Sequence, residues 1–229
     1  MDRLAGPLNE LAEHYDVIVV GSGYGGSIAA CRLSRAGRSV ALFERGREML
    51  PGEYPSTMAE ALCHLQTSGP GLGPVRQMGD KRNLYWFHTG GAMNVFSGCG
   101  LGGTSLVNAN VSLRPDVQVF ADVRWPAPLR DDVDGALADG YAAAISMLEP
   151  TTYPENLPRL PKIDALRVAA GGKPVNLTPV NVTFCAGNNR SGVYRQACVG
   201  CGGCVTGCNF AAKNTVLMNY LPDAHAHGA

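Results

Sequence analysis

The sequence predicts an α/β fold that opens with a β-α-β unit and continues into long, loop-rich insertions. Three observations support this prediction. Asp16–Val20 is a short apolar run rich in β-branched residues and Ser39–Phe43 is a second short apolar run, which is typical of strands buried on both faces of a parallel sheet. Between them, Ser27–Ala36 is a run of small residues that ends before Gly37, as a helix often does. The 29 glycines and 15 prolines indicate many turns in the rest of the chain.

The composition is that of a globular protein without net charge. The chain has 229 residues, of which 45% are hydrophobic, so it can bury a sizeable core. Its 19 basic residues balance 19 acidic ones, which argues against a nucleic-acid binder or a polybasic membrane-surface protein. No apolar run is long enough to predict a membrane span. Residues 1–13 lack the pattern of a secretory signal, so we expect a cytoplasmic protein.

Outside the β-α-β unit the predicted elements are fewer and more scattered. Hydrophobic periodicity, alternation and the positions of proline and glycine predict each of them. They are a short polar helix over Asp2–His14, a loop over Gly69–Pro74, a strand or extended segment over Lys81–Phe87, a helix over Asp131–Leu148, a linker over Thr151–Pro161, a half-buried strand over Asn176–Phe184, and a final helix over Thr215–His227 that is interrupted or restarted near Pro222.

The first glycine segment, Gly21–Gly26, joins the first predicted strand to the helix with the spacing Gly-x-Gly-x-x-Gly. Gly21 would permit the tight turn, Gly23 the approach of a pyrophosphate, and Gly26 the close packing of helix on strand. The helix N-terminus would offer free N–H groups to the phosphates. Glu44 ends the second strand, where a carboxylate binds ribose hydroxyls and repels a 2′-phosphate. Residues 1–47 therefore predict a Rossmann-like site for FAD or NAD, a choice that this motif leaves open.

A second glycine segment, Gly98–Asn108, lies within residues 90–115 and reads Gly-Cys-Gly-Leu-Gly-Gly-Thr-Ser-Leu-Val-Asn. Its small residues would let main-chain N–H groups reach a pyrophosphate without obstruction by side chains. Together with Asp16–Gly46, this segment resembles the glucose–methanol–choline (GMC) oxidoreductases, in particular their cholesterol-oxidase-like branch. The resemblance implies that the cofactor is FAD and that the second glycine segment lies against the flavin.

The resemblance also implies roles for individual residues. Tyr24 and Gly25 would contact the FAD phosphates through their backbone. Glu44 would hold the adenosine ribose. The residues that would line the flavin are Gly103, Thr104 and Asn108.

Four cysteines, Cys198, Cys201, Cys204 and Cys208, define the cysteine loop, within the predicted loop-and-helix region 185–220. Zinc sites usually combine two Cys-x-x-Cys pairs that lie far apart, whereas closely spaced cysteines separated by glycines are typical of iron–sulfur loops. We favour an iron–sulfur cluster here, held by these four thiols, by three of them, or by three with Cys185. The alternatives are zinc and free thiols or disulfides, the last being disfavoured without an export signal.

The resemblance implies a flavoenzyme that oxidises the CH–OH group of an alcohol, such as a sterol, by hydride transfer to FAD. Its partners would be that small-molecule alcohol and an electron acceptor, with no nucleic acid. Family members are longer, and their catalytic histidine lies in a C-terminal portion that we expect beyond residue 229. We therefore expect residues 1–229 to be the N-terminal part of an FAD-binding domain, inactive alone. The alternatives are a catalytically silent fragment and, less favoured, an NAD-dependent dehydrogenase.

Overall fold

The computed structural model of the protein describes residues 2–70 and 76–229, so most of the predicted loop at 69–74 lies outside the described residues. The opening β-α-β unit is confirmed. Strand β1 (Val17–Val20) runs parallel to β2 (Val40–Phe43), and helix α1 (Tyr24–Arg35) connects them. In the register of the pair, Val17 lies beside Val40. The hydrophobic pattern and the glycines that flank α1 therefore located this unit to within a few residues.

One aspect of the prediction for β1 is wrong. Its side chains alternate between a half-buried and an exposed face, and Ile18 and Val20 are 64% and 86% exposed. The half-buried face packs towards α1, while the other face has no layer over it among the described residues. The apolar run correctly predicted a strand, but in the described part of the chain only one face of that strand is covered.

A second, mixed sheet follows in the order β4-β3-β5-β6. Its strands are β3 (Leu65–Ser68), β4 (Gln77–Met78), β5 (Tyr85–Thr89) and β6 (Asn94–Gly98). Strand β5 pairs in parallel with β3 and antiparallel with β6, which leads directly into the second glycine segment. The predicted strand over Lys81–Phe87 is thus confirmed from Tyr85 onwards. Its first residues instead form a turn, in which the Arg82 N–H donates to the Asp80 carboxylate at 2.9 Å.

The remaining helices and strands are short apart from the fourth helix, which has 13 residues. They are the helices α2 (Met58–Cys63), α3 (Ala127–Arg130), α4 (Ala136–Leu148), α5 (Pro161–Ala169) and α6 (Tyr220–Ala226), and the small hairpin of β7 (Gly187–Asn188) and β8 (Tyr194–Arg195). The predicted helix over Asp131–Leu148 is confirmed from Ala136, whose N–H donates to the Asp132 carboxylate at 2.8 Å. No helix in the described ranges has both the length and the apolar character that crossing a membrane requires.

The predicted helix over Asp2–His14 is wrong, because only Leu8–Glu10 forms a 3₁₀ turn there. Pro7 precedes that turn in an extended conformation and has no N–H to donate to a preceding turn. Upstream, the Leu4 N–H donates to the Glu48 carboxylate at 2.8 Å. A tertiary hydrogen bond therefore holds this segment against the body of the protein in place of helical ones.

Two later predictions also need correction. The segment Asn176–Phe184 makes isolated bridges at Val180 and Val182 to three separate partners, so it forms no continuous strand. The predicted final helix consists of a 3₁₀ turn over Val216–Met218 followed by α6. The interruption lies at Asn219, whose side chain accepts a hydrogen bond from the first N–H of α6.

The core lies where α1 and β2 meet the second glycine segment and α6. Its buried apolar residues include Ala30, Val40, Leu84, Leu106, Leu217 and Leu221. Helix α6 packs along α1, and the Asp223 carboxylate on α6 accepts hydrogen bonds from Arg35 and from the Cys31 thiol, both on α1. The last helix thereby supports the C-terminal half of α1.

Candidate functional site

The first glycine segment forms the tight turn that its spacing predicts. Gly21 leaves β1 with φ +90°, and its N–H donates to the Phe43 carbonyl at the end of β2, at 2.8 Å. A Cβ on Gly26 would lie 1.8 Å from the Gly21 carbonyl oxygen, so α1 can approach the turn this closely only because residue 26 is glycine. A Cβ on Gly23 or Gly25 would meet no heavy atom within 4 Å. The turn therefore packs on its inner side and leaves open space on its outer side.

The N-terminus of α1 faces this open space. Gly23 caps the helix without a side-chain hydrogen bond, and the first turn carries no acidic residue. The first helical N–H groups have no acceptor further back in the helix, and the helix dipole adds partial positive charge there. Because α1 is 12 residues long, this end can bind an anion such as a pyrophosphate.

Glu44 points towards the first glycine segment, as the prediction requires. One oxygen of its carboxylate accepts hydrogen bonds from the Ser22 N–H at 3.0 Å and the Ser22 hydroxyl at 2.6 Å. The other accepts from the Gly46 N–H at 2.8 Å. A carboxylate has about four acceptor positions, so this half-buried group keeps capacity for a further donor, such as a ribose hydroxyl.

The second glycine segment packs directly against the first. The Gly102 N–H donates to the Ser22 hydroxyl oxygen at 2.9 Å. A Cβ on Gly103 would lie 2.7 Å from the Gly23 Cα, and a Cβ on Gly46 would lie 2.4 Å from the Gly100 nitrogen. The lack of side chains at these glycines is therefore what lets two stretches far apart in sequence come into contact.

Ser22 is the residue that joins them, and sequence reasoning missed it. It is fully buried, donates to Glu44 and accepts from Gly102. The only signal in the sequence is a small polar residue at the first variable position of Gly-x-Gly, and many residue types are compatible with that position.

Tyr24 and Asn108 connect the two segments a second time. The Asn108 side-chain amide donates to the Tyr24 hydroxyl at 2.8 Å. Burial raises the pKa of Tyr24, and the hydrogen bond from Asn108 opposes that shift only in part, so the phenol stays protonated. Thr104 is exposed, and its hydroxyl accepts from the Gly98 N–H at 3.2 Å. Gly103 begins a 3₁₀ turn with φ +56°.

These residues form one continuous surface, which we call the glycine surface. Its members are Gly21, Gly23, Tyr24, Gly25, Gly26, Glu44, Gly103, Thr104 and Asn108. The structure brings all of them together around the two glycine segments. Their contact with a cofactor remains a prediction, but the donor groups, the open space and the free helix end fit a dinucleotide.

The cysteine loop does not support the predicted iron–sulfur site. Cys198, Cys201, Cys204 and Cys208 are all free, and Cys185 and Cys201 are exposed. In the part of the chain that the structure describes, no three His, Cys, Asp or Glu side chains are grouped so that they could hold a metal ion. Gly200 and Gly202 have φ values of +69° and +74°. The turns at these glycines leave Cys201 at the surface while Cys204 is half-buried, and the four thiols do not form a metal-binding group.

The C-terminal end of the cysteine loop is hydrogen-bonded to the rest of the protein. The Tyr85 hydroxyl donates to the Thr206 carbonyl at 2.6 Å, and the Asn209 side chain accepts from the Tyr54 N–H at 2.9 Å. Burial raises the pKa of the Cys204 thiol, and the nearby Lys213 cation opposes this only in part. The hydrogen bonds from Tyr85 and Tyr54 therefore fix the position of this part of the loop.

Comparison with known proteins shows a family and several relatives that this chain resembles. A family model described as GMC oxidoreductase matches residues 15–229. A cholesterol oxidase from Mycobacterium tuberculosis is 32% identical over 230 residues, which cover 94% of this chain and 38% of the relative. A cholesterol oxidase from Acinetobacter baumannii is 29% identical over 228 residues, covering 94% and 39%. A long-chain-alcohol oxidase from Arabidopsis thaliana is 26% identical over 214 residues, covering 93% and 25%. The chain thus spans well under half the length of these relatives.

Proposed function

The chain belongs to the GMC oxidoreductase family, and on that premise we propose that it forms the FAD-binding part of an oxidoreductase acting on the CH–OH group of an alcohol. The family implies FAD, and the relatives are named as oxidases of cholesterol and of long-chain alcohols. The observation that carries the proposal is the contact between the two glycine segments, with Glu44 directed at the first of them. One dinucleotide could contact both segments at once.

Each part of the glycine surface has a distinct task in this proposal. The free N–H groups at the start of α1 bind the pyrophosphate, and the open space beside Gly23 lets it approach the backbone. Glu44 accepts hydrogen bonds from the adenosine ribose. The Tyr24–Asn108 pair fixes the second glycine segment, with Thr104 exposed on it, where the flavin would lie. When bound, FAD supplies the acceptor for the hydride that leaves the carbinol carbon.

The contribution of this chain is binding and orientation. We assign removal of the substrate proton to no residue of the glycine surface. The alcohol substrate and an electron acceptor, oxygen or another oxidant, are the proposed partners. Because the described residues of the cysteine loop form no metal-binding group, no electron route through a metal cluster is part of the proposal.

Titration of the purified protein, stripped of nucleotide, with FAD tests the proposal. Flavin fluorescence reports binding, and NAD is added as a competitor. The informative variant is Gly23→Val, because a Cβ at position 23 would meet no heavy atom within 4 Å, and the side chain would fill the space that the pyrophosphate needs. We expect the unfolding temperature to change little and the Kd for FAD to rise by about tenfold or more, which corresponds to about 1.4 kcal/mol.

The matched control is Gly140→Ala on α4, where the added Cβ also meets no heavy atom within 4 Å. It should leave the Kd for FAD unchanged. A wild-type protein that does not bind FAD, or a Gly23→Val variant that binds it as tightly as wild type, would refute the proposed site. Displacement of FAD by NAD at similar concentration would favour a nicotinamide-dependent dehydrogenase instead.

A further inference from the structure

Lys213 is a buried lysine that the proposed function does not use. It is only 2% exposed. Its ammonium group donates hydrogen bonds to the carbonyl oxygens of Leu106 at 3.1 Å, Asn108 at 2.8 Å and Cys204 at 3.0 Å. The first two carbonyls belong to the second glycine segment and the third to the cysteine loop. One side chain therefore joins two regions that are about a hundred residues apart in sequence.

The backbone around Lys213 holds this side chain in place. Lys213 forms an antiparallel bridge with Val182, and the Asn214 N–H donates to the Asn181 carbonyl at 2.8 Å. Ala211 has φ +53°, a left-handed conformation that is unusual for alanine and turns the chain into this bridge. The ammonium thus points inwards because the main chain on both sides is fixed.

Burial of this charge is costly unless the ammonium is fully hydrogen-bonded. An ammonium has three N–H donors, and the three carbonyls use all of them. No carboxylate pairs with Lys213 among the residues that the structure describes. An apolar side chain at this position would leave three carbonyls without this donor. The arrangement therefore stabilises the contact between the two regions, which no ion pair does here.

The contact continues to the first glycine segment. Lys213 binds the Asn108 carbonyl, and the Asn108 side chain donates to the Tyr24 hydroxyl at 2.8 Å. Tyr24 is the first residue of α1, at the helix end that would bind the pyrophosphate. Three hydrogen bonds, through Lys213 and Asn108, thus connect Cys204 in the cysteine loop to Tyr24 at the start of α1.

We propose that Lys213 is a positioning residue that couples the cysteine loop to the cofactor-binding conformation of the glycine surface. The inference rests on the proposed function, since the coupled surface is the one assigned to FAD. Two consequences follow. Loss of the ammonium weakens FAD binding, and FAD binding restricts access to the Cys204 thiol through Lys213.

The test compares wild type with Lys213→Met and with a control, Lys162→Met, which removes the same charge from an exposed position on α5. Iodoacetamide alkylation is followed by peptide mass spectrometry at Cys204, with the exposed Cys63 as internal reference. The Kd for FAD is measured by flavin fluorescence. We expect Lys213→Met to raise the Kd by about tenfold, in line with the loss of hydrogen bonds to a charged group. We also expect faster alkylation of Cys204, by several-fold relative to Cys63, even without FAD.

The coupling itself gives a result that a purely structural lysine would not. In wild type and Lys162→Met, FAD should slow alkylation of Cys204 relative to Cys63, and in Lys213→Met this protection should be lost. Equal FAD affinity and equal protection in Lys213→Met would overturn the inference and leave the proposed function intact. If Lys213→Met does not fold, the wild-type protein decides, because absence of protection by FAD overturns the coupling. A wild type that binds no FAD overturns the proposed function and this coupling together, although the alkylation rates without FAD would still measure the contact at Lys213.

Discussion

The glycine surface and the cysteine loop are both made of small residues in tight turns, yet their sequence motifs had different predictive value. At the glycine surface, the structure brings together the residues that the motif and the resemblance singled out. In the cysteine loop, equally regular spacing does not produce a metal-binding group among the described residues. The difference lies in what each motif specifies. Gly-x-Gly-x-x-Gly describes backbone positions where a side chain cannot fit, whereas Cys spacing describes side chains whose directions depend on the turns between them.

The largest effect on stability is expected at Gly26, where α1 packs closely against the first glycine segment. A Cβ there would lie 1.8 Å from the Gly21 carbonyl oxygen and 3.2 Å from a Val19 methyl carbon. The backbone oxygen cannot move away without separating α1 from the turn. We expect Gly26→Val to lower the free energy of unfolding by about 3 kcal/mol or more, at the upper end of overpacking effects. Chemical denaturation measures the change.

Gly140→Ala is the control for that experiment, because it places a methyl group on an open face of α4. Alanine is the better helix former, so this variant should be up to about 1 kcal/mol more stable than wild type. A Gly26→Val protein as stable as Gly140→Ala would show that the close approach of α1 to the turn is not required.

The contact between the two glycine segments can be weakened at Ser22. Ser22→Ala removes a donor to Glu44 and leaves the Gly102 N–H without its acceptor. A buried donor left unsatisfied costs about 1–3 kcal/mol, so we expect a loss of about 2 kcal/mol in the free energy of unfolding. Ser27 is equally buried, but its hydroxyl donates only to Tyr24 within α1. Ser27→Ala should therefore cost clearly less, and equal losses in the two variants would argue against a special role for Ser22.

Predictions were most reliable where the sequence specifies local geometry. The β-branched run and the glycines located β1, the turn and α1, because the conformation of each depends on residues that are close together in the sequence. The predicted helix over Asp2–His14 did not form, because Pro7 breaks the pattern and Glu48, distant in sequence, binds the Leu4 N–H. A periodic pattern in a short segment does not outweigh a tertiary hydrogen bond.

The residues that join segments were not predictable in the same way. Ser22 acquires its role from Gly102, and Lys213 from three carbonyls in two distant segments. A serine in a turn and a lysine after two alanines have no distinctive pattern. Their importance depends on which parts of the chain meet, and a single sequence gives little information about that.

The interaction between Arg35 on α1 and Asp223 on α6 has a smaller effect on stability, and this effect depends on pH. Arg35 hydrogen-bonds the Asp223 carboxylate and holds its pKa below the ordinary value of 3.8. Because the folded-state pKa is lowered, the interaction stabilises the fold fully above pH 3.8 and is lost as the pH falls through the lowered pKa. We expect Asp223→Asn to cost about 1 kcal/mol at pH 7, since solvent screens the half-exposed Arg35. Denaturation at pH 7 and near pH 3 should show this difference shrinking in acid, and a difference that stays constant would contradict the assignment.

The smallest effect is expected in the cysteine loop. Cys201 is exposed and belongs to no metal-binding group in the described ranges, so Cys201→Ser removes no interaction on which the fold depends. The free energy of unfolding should stay within about 0.5 kcal/mol of wild type, as for an ordinary surface substitution. Iron and zinc contents of the two purified proteins should be equal and well below one ion per chain, and a chelator should leave the unfolding temperature of both unchanged. One equivalent of metal in wild type that is lost in Cys201→Ser would restore the metal-site interpretation of the cysteine loop.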